Sequence, residues 1–523
     1  MPSTLTYPGV YVEEIPSGVR TIAGVATSIA AFIGLAPRGP VDRATTITSF
    51  ADFERVFGGI VYEYPLTYAV RDFFENGGSI AIIVRTFKDG GTAKRASIKR
   101  GDFQISAASP GTWGNNLRVR ADQDGITDAI ATELGVPKAS LYNLAIRDTK
   151  TGVTEVYNLV TKEDTLRRVD RVLAKSALVK LDSTADKIPN PLHKSPPDDA
   201  KLWTDDDYSS KVADPDKSAE SASFWATGAG DTNNRTGLYA LDRADLFNLL
   251  ILAPDVRGDD VPIAVLSPAL NYCVKRRALM IVDPRHDWAK PQDVIDHLGD
   301  LGLAGDRARN AAIYFPRVLE ADPAKGGTIS PFGPAGLVAG IMARTDTQRG
   351  VWKAPAGVDA ALGGALGLEV PLNDGENGQL NPIGVNCLRT FPITGNVVWG
   401  ARTMRGADLL GDEYKYVPVR RLALFLEESL YRGLQWVVFE PNDEPLWSQI
   451  RLNVGAFMNN LFRQGAFQGG SPRDAYFVHC DKTTTTQNDI NLGIVNIIVG
   501  FAPLKPAEFV VLKIQQMAGQ IQV

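Results

Sequence analysis

Five short, continuous apolar runs constrain the fold of this chain more than any other feature. The runs lie at Thr27–Pro40 (TSIAAFIGLAPRGP), Ile80–Val84, Leu246–Ala253, Ala278–Val282 and Ala311–Phe315. Apolar residues on both faces of a strand are typical of strands buried on both sides. Two amphipathic helices are predicted between the first two strands: Ser49 caps one that Gly58 ends, and the other covers Leu66–Glu75. This order of elements predicts a mixed α/β core domain.

The length of 523 residues allows about three domains, so we expect an α+β or mixed α/β multidomain protein. Residues 195–220 are rich in Asp, Lys, Ser and Pro, which indicates solvated loops. We therefore predict an outer insertion domain at 100–239, with the middle α/β domain divided between 27–99 and 240–381. A C-terminal domain is expected at 382–523, and an N-terminal arm at 1–26.

Amphipathic helices and strands characterise the C-terminal quarter. Two helical faces are predicted, which consist of Val419, Leu422, Leu426, Leu430 and Leu434, and of Ile450, Val454, Phe457 and Leu461. Asp443 is the expected cap of the second helix, with Pro445 in its first turn and Gly465 at its end. A strand is expected at 492–501.

Both ends of the sequence resemble strands that lack a partner within the chain. Tyr7–Ile15 reads YPGVYVEEI, and Phe509–Val523 reads FVVLKIQQMAGQIQV with no closing turn. Unpaired strands are templates for pairing with another chain. We expect Phe509–Ile514 to belong to the subunit's own sheet and the part after Gly519 to be donated to a neighbour.

Composition argues against several classes of function. The net charge is −5 and no Lys/Arg stripe is present, so nucleic acid is not an expected partner. No apolar run is long enough to cross a membrane, and residues 1–14 do not resemble a signal peptide, so assembly in a cytoplasm is expected. Three distant cysteines, Cys273, Cys387 and Cys480, are expected to be buried thiols, although an intersubunit disulfide stays open.

Signatures of common catalytic sites are absent from the sequence: it contains no P-loop, nucleophile elbow, HExxH or dinucleotide motif. His479 and Cys480 are adjacent on a predicted strand, so they point to opposite faces and do not form a catalytic pair. Glu427 and Glu428 are about 100° apart on a helix and form no facing pair. We expect no catalytic residue, no metal and no cofactor, and treat the glycines at 357–367 as a packing turn or flexible connection.

His286 and His297 lack the spacing that places two imidazoles on one turn of a helix, and they are expected at the surface.

The chain resembles the contractile tail sheath proteins of myophages and related bacterial injection particles. The resemblance rests on motifs spread over most of the chain, which are YPGVYVEEI at 7–15, AAFIGLAPRGP at 30–40, SFADFERVFGG at 49–59, AVRDFFENGG at 69–78, PAGLVAGIMARTDTQRGVWKAPAG at 334–357, VWGARTM at 398–404, YVPVRRL at 416–422, WVVFEPND at 436–443 and GFAPLKPAEFVV at 500–511. Only about 120–240 lacks such motifs, and this region is similar to a variable outer domain of the family. The resemblance implies three layers: the arm at 1–26 joins 382–523 in an inner domain, the α/β domain lies outside it, and the insertion is outermost.

The resemblance implies a subunit that polymerises as stacked hexameric discs around an inner tube. It implies contraction by rigid-body rearrangement, which drives the tube through a target cell envelope, and partners that include the tube, baseplate and tail terminator proteins. Strands exchanged between subunits would involve Tyr7, Val10, Tyr11, Val12, Ile15, Ile521 and Val523, with hinges near Gly18–Gly24 and Met517–Gly519. The particle is either a phage tail or a genome-free injection device.

Charged side chains on the two C-terminal helices are candidates for contact with the tube. They are expected to be exposed, and they are Arg420, Arg421, Glu427, Glu428, Arg451 and Arg463. The alternative is that these charged side chains only keep the helix surfaces hydrated and contact no partner. Two other classes of function remain as alternatives to a sheath, namely a non-contractile shell or adhesin polymer and a thiol hydrolase that uses Cys480.

Overall fold

A computed structural model describes residues 20–87, 95–197, 201–212, 224–225 and 228–514. The chain forms two compact units. The central unit contains residues 28–344 and 356–411, and the C-terminal unit contains described residues 20–27, 345–355 and 412–514. No helix in the described ranges is long and apolar enough to cross a membrane.

The central unit contains eighteen of the described strands. They are β1 (Ala30–Gly34), β2 (Thr45–Ile47), β3 (Ala81–Arg85), β4 (Ser97–Arg100), β5 (Phe103–Ala107), β6 (Leu117–Asp122), β7 (Leu141–Asp148), β8 (Thr154–Thr161), β9 (Val179–Leu181), β10 (Ser210–Lys211), β11 (Leu249–Leu252), β12 (Leu279–Val282), β13 (Ala311–Phe315), β14 (Val318–Asp322), β15 (Thr328–Phe332), β16 (Gly367–Leu368), β17 (Asn386–Phe391) and β18 (Gly395–Val398).

The described helices of this unit begin with α1 (Phe50–Phe57), α2 (Pro65–Glu75), α3 (Asp128–Leu134) and α4 (Val169–Leu173). They continue with α5 (Ile263–Lys275), α6 (Pro291–His297), α7 (Ala335–Arg349) and α8 (Asp374–Leu380). Helix α7 continues into the C-terminal unit at residue 345.

An eight-stranded sheet forms the core of the central unit, in the order β18-β17-β13-β12-β11-β1-β3-β2. The five predicted strands are β1, β3, β11, β12 and β13, which are adjacent and parallel. Their residues are buried throughout, because helices cover the sheet and leave no polar face. The predicted mixed α/β core is confirmed.

The helices between β2 and β3 also match the prediction. Ser49 accepts a hydrogen bond from the Asp52 N–H at the start of α1, and Gly58 follows the helix with a left-handed backbone. Helix α2 carries buried Leu66, Val70 and Phe73.

The predicted insertion forms two smaller sheets, β4-β5-β9 and β10-β6-β7-β8. A separate hydrophobic cluster fills it, including Phe103, Trp113 and Tyr142. Short strands with one polar face and long turns hide this core from a reading of composition.

Helix α7 crosses α2 at two glycines. A Cβ atom at Gly336 would lie 2.3 Å from the Ala69 carbonyl oxygen, and one at Gly340 would lie 2.6 Å from the Asn76 Cβ. Only a residue without a side chain permits this approach. Beyond α7, the Gly363 N–H donates to Asn76 Oδ1 at 2.8 Å, so the glycine-rich segment contains a packing turn at this point.

The C-terminal unit differs from the predicted inner domain at its boundary. Residues 382–411 belong to the central unit, because β17 pairs with β13 and β18 pairs with β17. The unit also contains residues 345–355, and no change in composition or periodicity separates them from their neighbours.

Helices dominate the described part of the C-terminal unit, with one small sheet. The elements are α9 (Val417–Gly433), α10 (Glu444–Arg463), α11 (Pro472–Ala475), α12 (Gln487–Asn491), β19 (Tyr476–His479) and β20 (Ile498–Phe501). Helices α9 and α10 are confirmed, and Asp443 accepts a hydrogen bond from the Leu446 N–H as the predicted cap. The strand predicted at 492–501 is wrong before Ile498, because α12 and its C-terminal turn precede a shorter strand.

Candidate assembly surface

A two-stranded antiparallel sheet lies against helix α10 in the C-terminal unit. Strands β19 and β20 pair Tyr476 with Phe501 and His479 with Ile498. The Tyr476 hydroxyl donates to the Gly455 carbonyl at 3.3 Å, which fixes β19 on the helix. Sheets of two strands are marginal by themselves. Within the described chain, the β19 edge away from β20 has no paired strand, so it can accept another chain.

The segment after β20 is exposed and apolar. Phe509, Val510, Val511, Leu512 and Ile514 are between 74% and 94% exposed, and none is assigned to a strand. The prediction that Phe509–Ile514 belongs to the subunit's own sheet is therefore wrong. Pro503 and Pro506 offer no N–H, and they separate this segment from β20.

The predicted strand arms lie outside the described residues. These positions are Tyr7, Val10, Tyr11, Val12, Ile15, Ile521 and Val523, together with the hinge Met517–Gly519. The second hinge, predicted at Gly18–Gly24, is described from Arg20 onward, and this part is held in place. The Arg20 N–H donates to Asn453 Oδ1 at 3.0 Å, and Ile22 is buried in the core of the C-terminal unit. A hinge that includes Arg20–Gly24 is thus contradicted.

Two of the six predicted tube-facing charges are buried. Arg421 makes a bidentate ion pair with Asp346, at 2.9 and 2.6 Å, and also donates to the Thr27 carbonyl at 2.9 Å. Glu428 is 8% exposed and accepts from Arg432 at 2.7 Å. The prediction that both are exposed is wrong. A charged side chain can be buried on the inner face of a helix when a partner of opposite charge neutralises it.

Of the other four predicted charges, Glu427, Arg451 and Arg463 reach the surface, whereas the Arg420 side chain is only 12% exposed, so its predicted exposure is wrong. Arg420 pairs with Glu427 at 3.2 Å, and Arg451 pairs with Glu444 on the first turn of α10. Arg463 is exposed at the end of the same helix. These charges can contact another molecule without breaking a core interaction.

Exposed apolar residues near these helices were missed from the sequence. Phe439 is fully exposed with a left-handed backbone (φ 71°), Val438 precedes it, and Leu452 is 52% exposed on α10. Half of the exposed large hydrophobic side chains in the described chain lie in the C-terminal unit, although it holds about a quarter of the described residues. The apolar run in WVVFEPND was the available signal. Such concentration marks an interaction surface.

The geometry around Cys480 does not support a thiol nucleophile. Cys480 is buried, and burial raises the pKa of its thiol to about 11. The His479 ring faces outward and packs on Phe477 with centroids 5.0 Å apart. A thiol held in its neutral form does not attack a substrate. Burial also raises the pKa of Cys387 to about 12 and that of Cys273 further.

Both remaining histidines of interest are exposed, as predicted. His286 hydrogen-bonds Asp260 at 2.8 Å and His297 hydrogen-bonds Asp300 at 2.9 Å. Asp260, His286 and Asp287 bring possible ligand atoms together, but Arg285 already lies 3.2 Å from Asp260 and balances its charge.

Family models match two stretches of the chain, the phage tail sheath protein central domain at 321–404 and the phage tail sheath C-terminal domain at 411–517. The first covers β15, α7 and the β17–β18 hairpin, and the second covers the C-terminal surface described above. These two stretches are therefore similar to the central and C-terminal domains of phage tail sheath proteins. The two matched stretches thus include helix α7, which packs closely on α2, and the two-stranded β19–β20 sheet.

Curated relatives with the same name agree with this assignment. The tail sheath protein of Burkholderia phage BcepMu is 23% identical over 485 residues, which cover 88% of this chain and 87% of the relative. That of Vibrio phage KVP40 is 27% identical over 179 residues, which are 34% of this chain and only a quarter (25%) of the relative's length. Both relatives are structural proteins by name.

Solved sheath structures share the fold. The anti-feeding prophage helical sheath in its contracted state has a TM-score of 0.55 at 22% identity, with 98% of this chain and 100% of that chain covered. The sheath tail protein Lin1278 from Listeria innocua has a TM-score of 0.57 at 13% identity, with 92% and 96% covered. The multidomain sheath fold therefore extends over nearly the whole sequence.

Proposed function

We propose that this chain is the structural subunit of a contractile tail sheath, which polymerises as stacked hexameric discs around an inner tube. One observation carries the proposal: the open β19–β20 sheet is followed by an exposed apolar segment at 509–514. An isolated subunit gains nothing from exposing five large apolar side chains within six residues, whereas a polymer can bury them.

Strand exchange would link the subunits. The arms at Tyr7–Ile15 and after Gly519 would add to the β19–β20 sheets of neighbouring copies, and segment 509–514 would cross the gap between them. Backbone hydrogen bonds would then hold two subunits together at different angles between their bodies, because the bonds lie within the arms. Apolar side chains on one face would fix the register.

Contraction would be a rigid-body rearrangement of tethered subunits that drives the tube through a target cell envelope. A difference of about a few kcal/mol between the two states of a subunit adds across many copies, so no nucleotide is needed in each subunit. The structural match to a sheath named as contracted supports this, as a property of the relative. A non-contractile shell or adhesin is the alternative that shares such sticky ends.

The partners would include the inner tube protein, the baseplate and the tail terminator. Tube contact would use the exposed face of α10 and its surroundings, which carry Arg451, Arg463 and Leu452, together with Arg420 and Glu427 on α9. The subunit would assemble in the bacterial cytoplasm and act in a virion tail or an injection particle. No catalytic role is proposed, since Cys480 has no exposed or activated thiolate.

Shortening or charging the terminal segment tests the function. Deletion of Gln516–Val523, or the pair Val510→Lys and Leu512→Lys, is expected to leave a folded, soluble monomer that forms no sheath. The lysines replace side chains that are 81% and 82% exposed, so the fold loses little. Electron microscopy and sedimentation would measure the tubes.

Leu409→Lys is the matched control, because Leu409 is also fully exposed but lies in the central unit. This variant should form tubes as the wild type does. Normal tubes from both altered tails would contradict the strand-exchange mechanism. Tubes of one fixed length and diameter under every condition would favour the non-contractile shell.

A further inference from the structure

A basic cleft lies between the edge of the main sheet and the β4-β5-β9 sheet, both within the central unit. Its volume is about 580 Å³. Five cationic side chains from separate parts of the chain line it, and they are Arg43, Arg55, Arg95, Lys175 and Lys180. The rest of the lining consists of small, mostly apolar residues and no acidic residue.

Few of the cations of this cleft form ion pairs, although the nearby Asp182 carboxylate favours the charged form of Lys180. Arg55 pairs with Asp52 at 3.0 Å, whereas no ion pair is found for the other four among the described residues. Burial and the nearby charges of Arg95 and Arg43 lower the pKa of Lys180. The cleft therefore concentrates positive charge in a concave surface, a geometry that focuses the field and attracts anions.

An acidic ridge lies elsewhere on the same unit, at helix α6. We define it by Asp287, Asp296 and Asp300, which are exposed. They surround His297: Asp300 accepts its hydrogen bond, and together the three carboxylates raise the pKa of this imidazole. Among the described residues, Arg285, 3.6 Å from Asp287, is the one cation besides His297 that forms an ion pair with any of these three carboxylates.

The two charged surfaces belong to opposite parts of the main sheet. Arg43 and Arg55 flank β2, which is one edge strand. Helix α6 packs against α8, and α8 packs against β17, next to the other edge. Six strand spacings separate β2 from β17, which is roughly 30 Å. Salt screens charges beyond about 8 Å, so cleft and ridge do not neutralise each other within one copy.

We propose that the basic cleft of one subunit receives the acidic ridge of a second copy of this chain. The contact joins two different surfaces, and such head-to-tail contacts generate rings or helices. It rests on the proposed function, since it presumes a polymer, and adds an ionic interface between central units to the strand exchange of the C-terminal units. Complementary charge selects the register in which neighbours meet.

Zero-length cross-linking tests the contact directly. A carbodiimide activates a carboxylate, and a touching lysine amine then forms an amide. Mixed ¹⁴N- and ¹⁵N-labelled copies should give peptides that join Lys175 or Lys180 of one copy to Asp296 or Asp300 of another. The reaction is run on assembled tubes and on concentrated protein. Absence of these links from both samples overturns the proposal, and so do links from the cleft lysines only to other carboxylates.

Charge exchange provides the second test. Lys175→Glu with Lys180→Glu, and separately Asp296→Lys with Asp300→Lys, should each lower the assembled fraction on the order of tenfold at low salt, because like charges then meet. Combining all four substitutions should restore assembly. Lys150→Glu with Lys162→Glu is the control, since both lysines are exposed and line no part of the cleft.

The outcomes separate this inference from the proposed function. Absence of tubes from the wild-type protein contradicts the sheath role itself. Normal wild-type tubes that are unaffected by either pair of substitutions overturn the ionic contact alone. If the assembled fraction falls in the cleft variant but not in the ridge variant, the cleft has another occupant, such as a multivalent phosphate. The cleft is also assigned another occupant if inorganic tripolyphosphate protects its lysines from cross-linking and no link forms between copies.

Discussion

The buried pair of Arg421 and Asp346 joins three distant parts of the chain within the C-terminal unit. The side chains are 3% and 4% exposed, and Thr27 contributes its carbonyl to Arg421 and its hydroxyl, at 2.6 Å, to Asp346. Each charge is compensated only as long as the others are present. The ion pair therefore fixes where the segments before β1 and after α7 dock.

Arg421→Ala should lower the free energy of unfolding by about 3–5 kcal/mol, because it leaves the Asp346 carboxylate buried without a cation. Urea denaturation of the C-terminal unit would measure the change. Arg463→Ala removes an exposed arginine of the same unit and should change stability by less than about 0.5 kcal/mol. Equal effects of the two substitutions would contradict the structural role of the pair.

Asp283 should make stability depend on pH. Its side chain is partly exposed but densely surrounded, and this desolvation raises its pKa to about 6, although the Ala335 N–H at the start of α7 donates to it at 2.8 Å. Its pKa in the unfolded chain is near 3.8. Because the folded protein binds this proton more tightly, the stabilising contribution of Asp283 is fully present below about pH 4 and is lost as the pH rises through about 6.

Asp283→Asn keeps an acceptor for the Ala335 N–H and removes the charge. The variant should lose this pH dependence between about pH 4 and 6, and at pH 8 should be more stable than the wild type by up to about 2 kcal/mol. Thermal denaturation across the pH range measures both effects. An unchanged slope in the variant would show that other groups control the transition.

At the scale of elements, the close crossing of α2 and α7 depends on two glycines. Gly340→Ala places a methyl group 2.6 Å from both the Asn76 Cβ and the Phe73 carbonyl oxygen, so the helices must separate. We expect a loss of about 1–3 kcal/mol in the free energy of unfolding. The comparison is Gly378→Ala within α8, where nothing lies within 4 Å and alanine should stabilise by about 0.5–1 kcal/mol. The prediction is wrong if both substitutions change the free energy of unfolding in the same direction.

Elements with a continuous apolar core were predictable from the sequence, and elements with a polar face were not. Strands β1, β3, β11, β12 and β13 are apolar along nearly their whole length, so their burial is visible in the sequence itself. In the insertion, β7 and β8 alternate in burial, and β9 and β10 are only three and two residues long, so the core there depends on pairing across the sheet. Propensity reports a local preference, and it does not show which segments pair.

The candidate surface was predictable in its chemistry more than in its geometry. An unpartnered apolar terminus was visible from Phe509 onward, whereas the absence of a sheet at 509–514 depends on what lies beside that segment. Similarly, Arg421 and Glu428 share the helical repeat of exposed charges, but Arg421 pairs with a residue 75 positions away and Glu428 with one on the next turn. Sequence spacing places a side chain on a helix face without showing what covers that face.

For the whole molecule, the domain boundary was the hardest feature to predict because the C-terminal unit is discontinuous in sequence. Apolar periodicity continues through 382–411, which belongs to the central sheet, and short segments at 20–27 and 345–355 join the other unit. Contacts between segments define such a unit, and one sequence read locally does not report them.

That discontinuity has a mechanical consequence. The chain passes between the two units four times, at 27–28, 344–345, 355–356 and 411–412, and one passage runs within helix α7. Traction on strand β20 therefore reaches the central unit through several covalent connections in parallel, whereas domains joined by one linker carry the whole load on a single peptide. In a subunit with four such connections, force passes between the two units in either direction without depending on any single peptide segment.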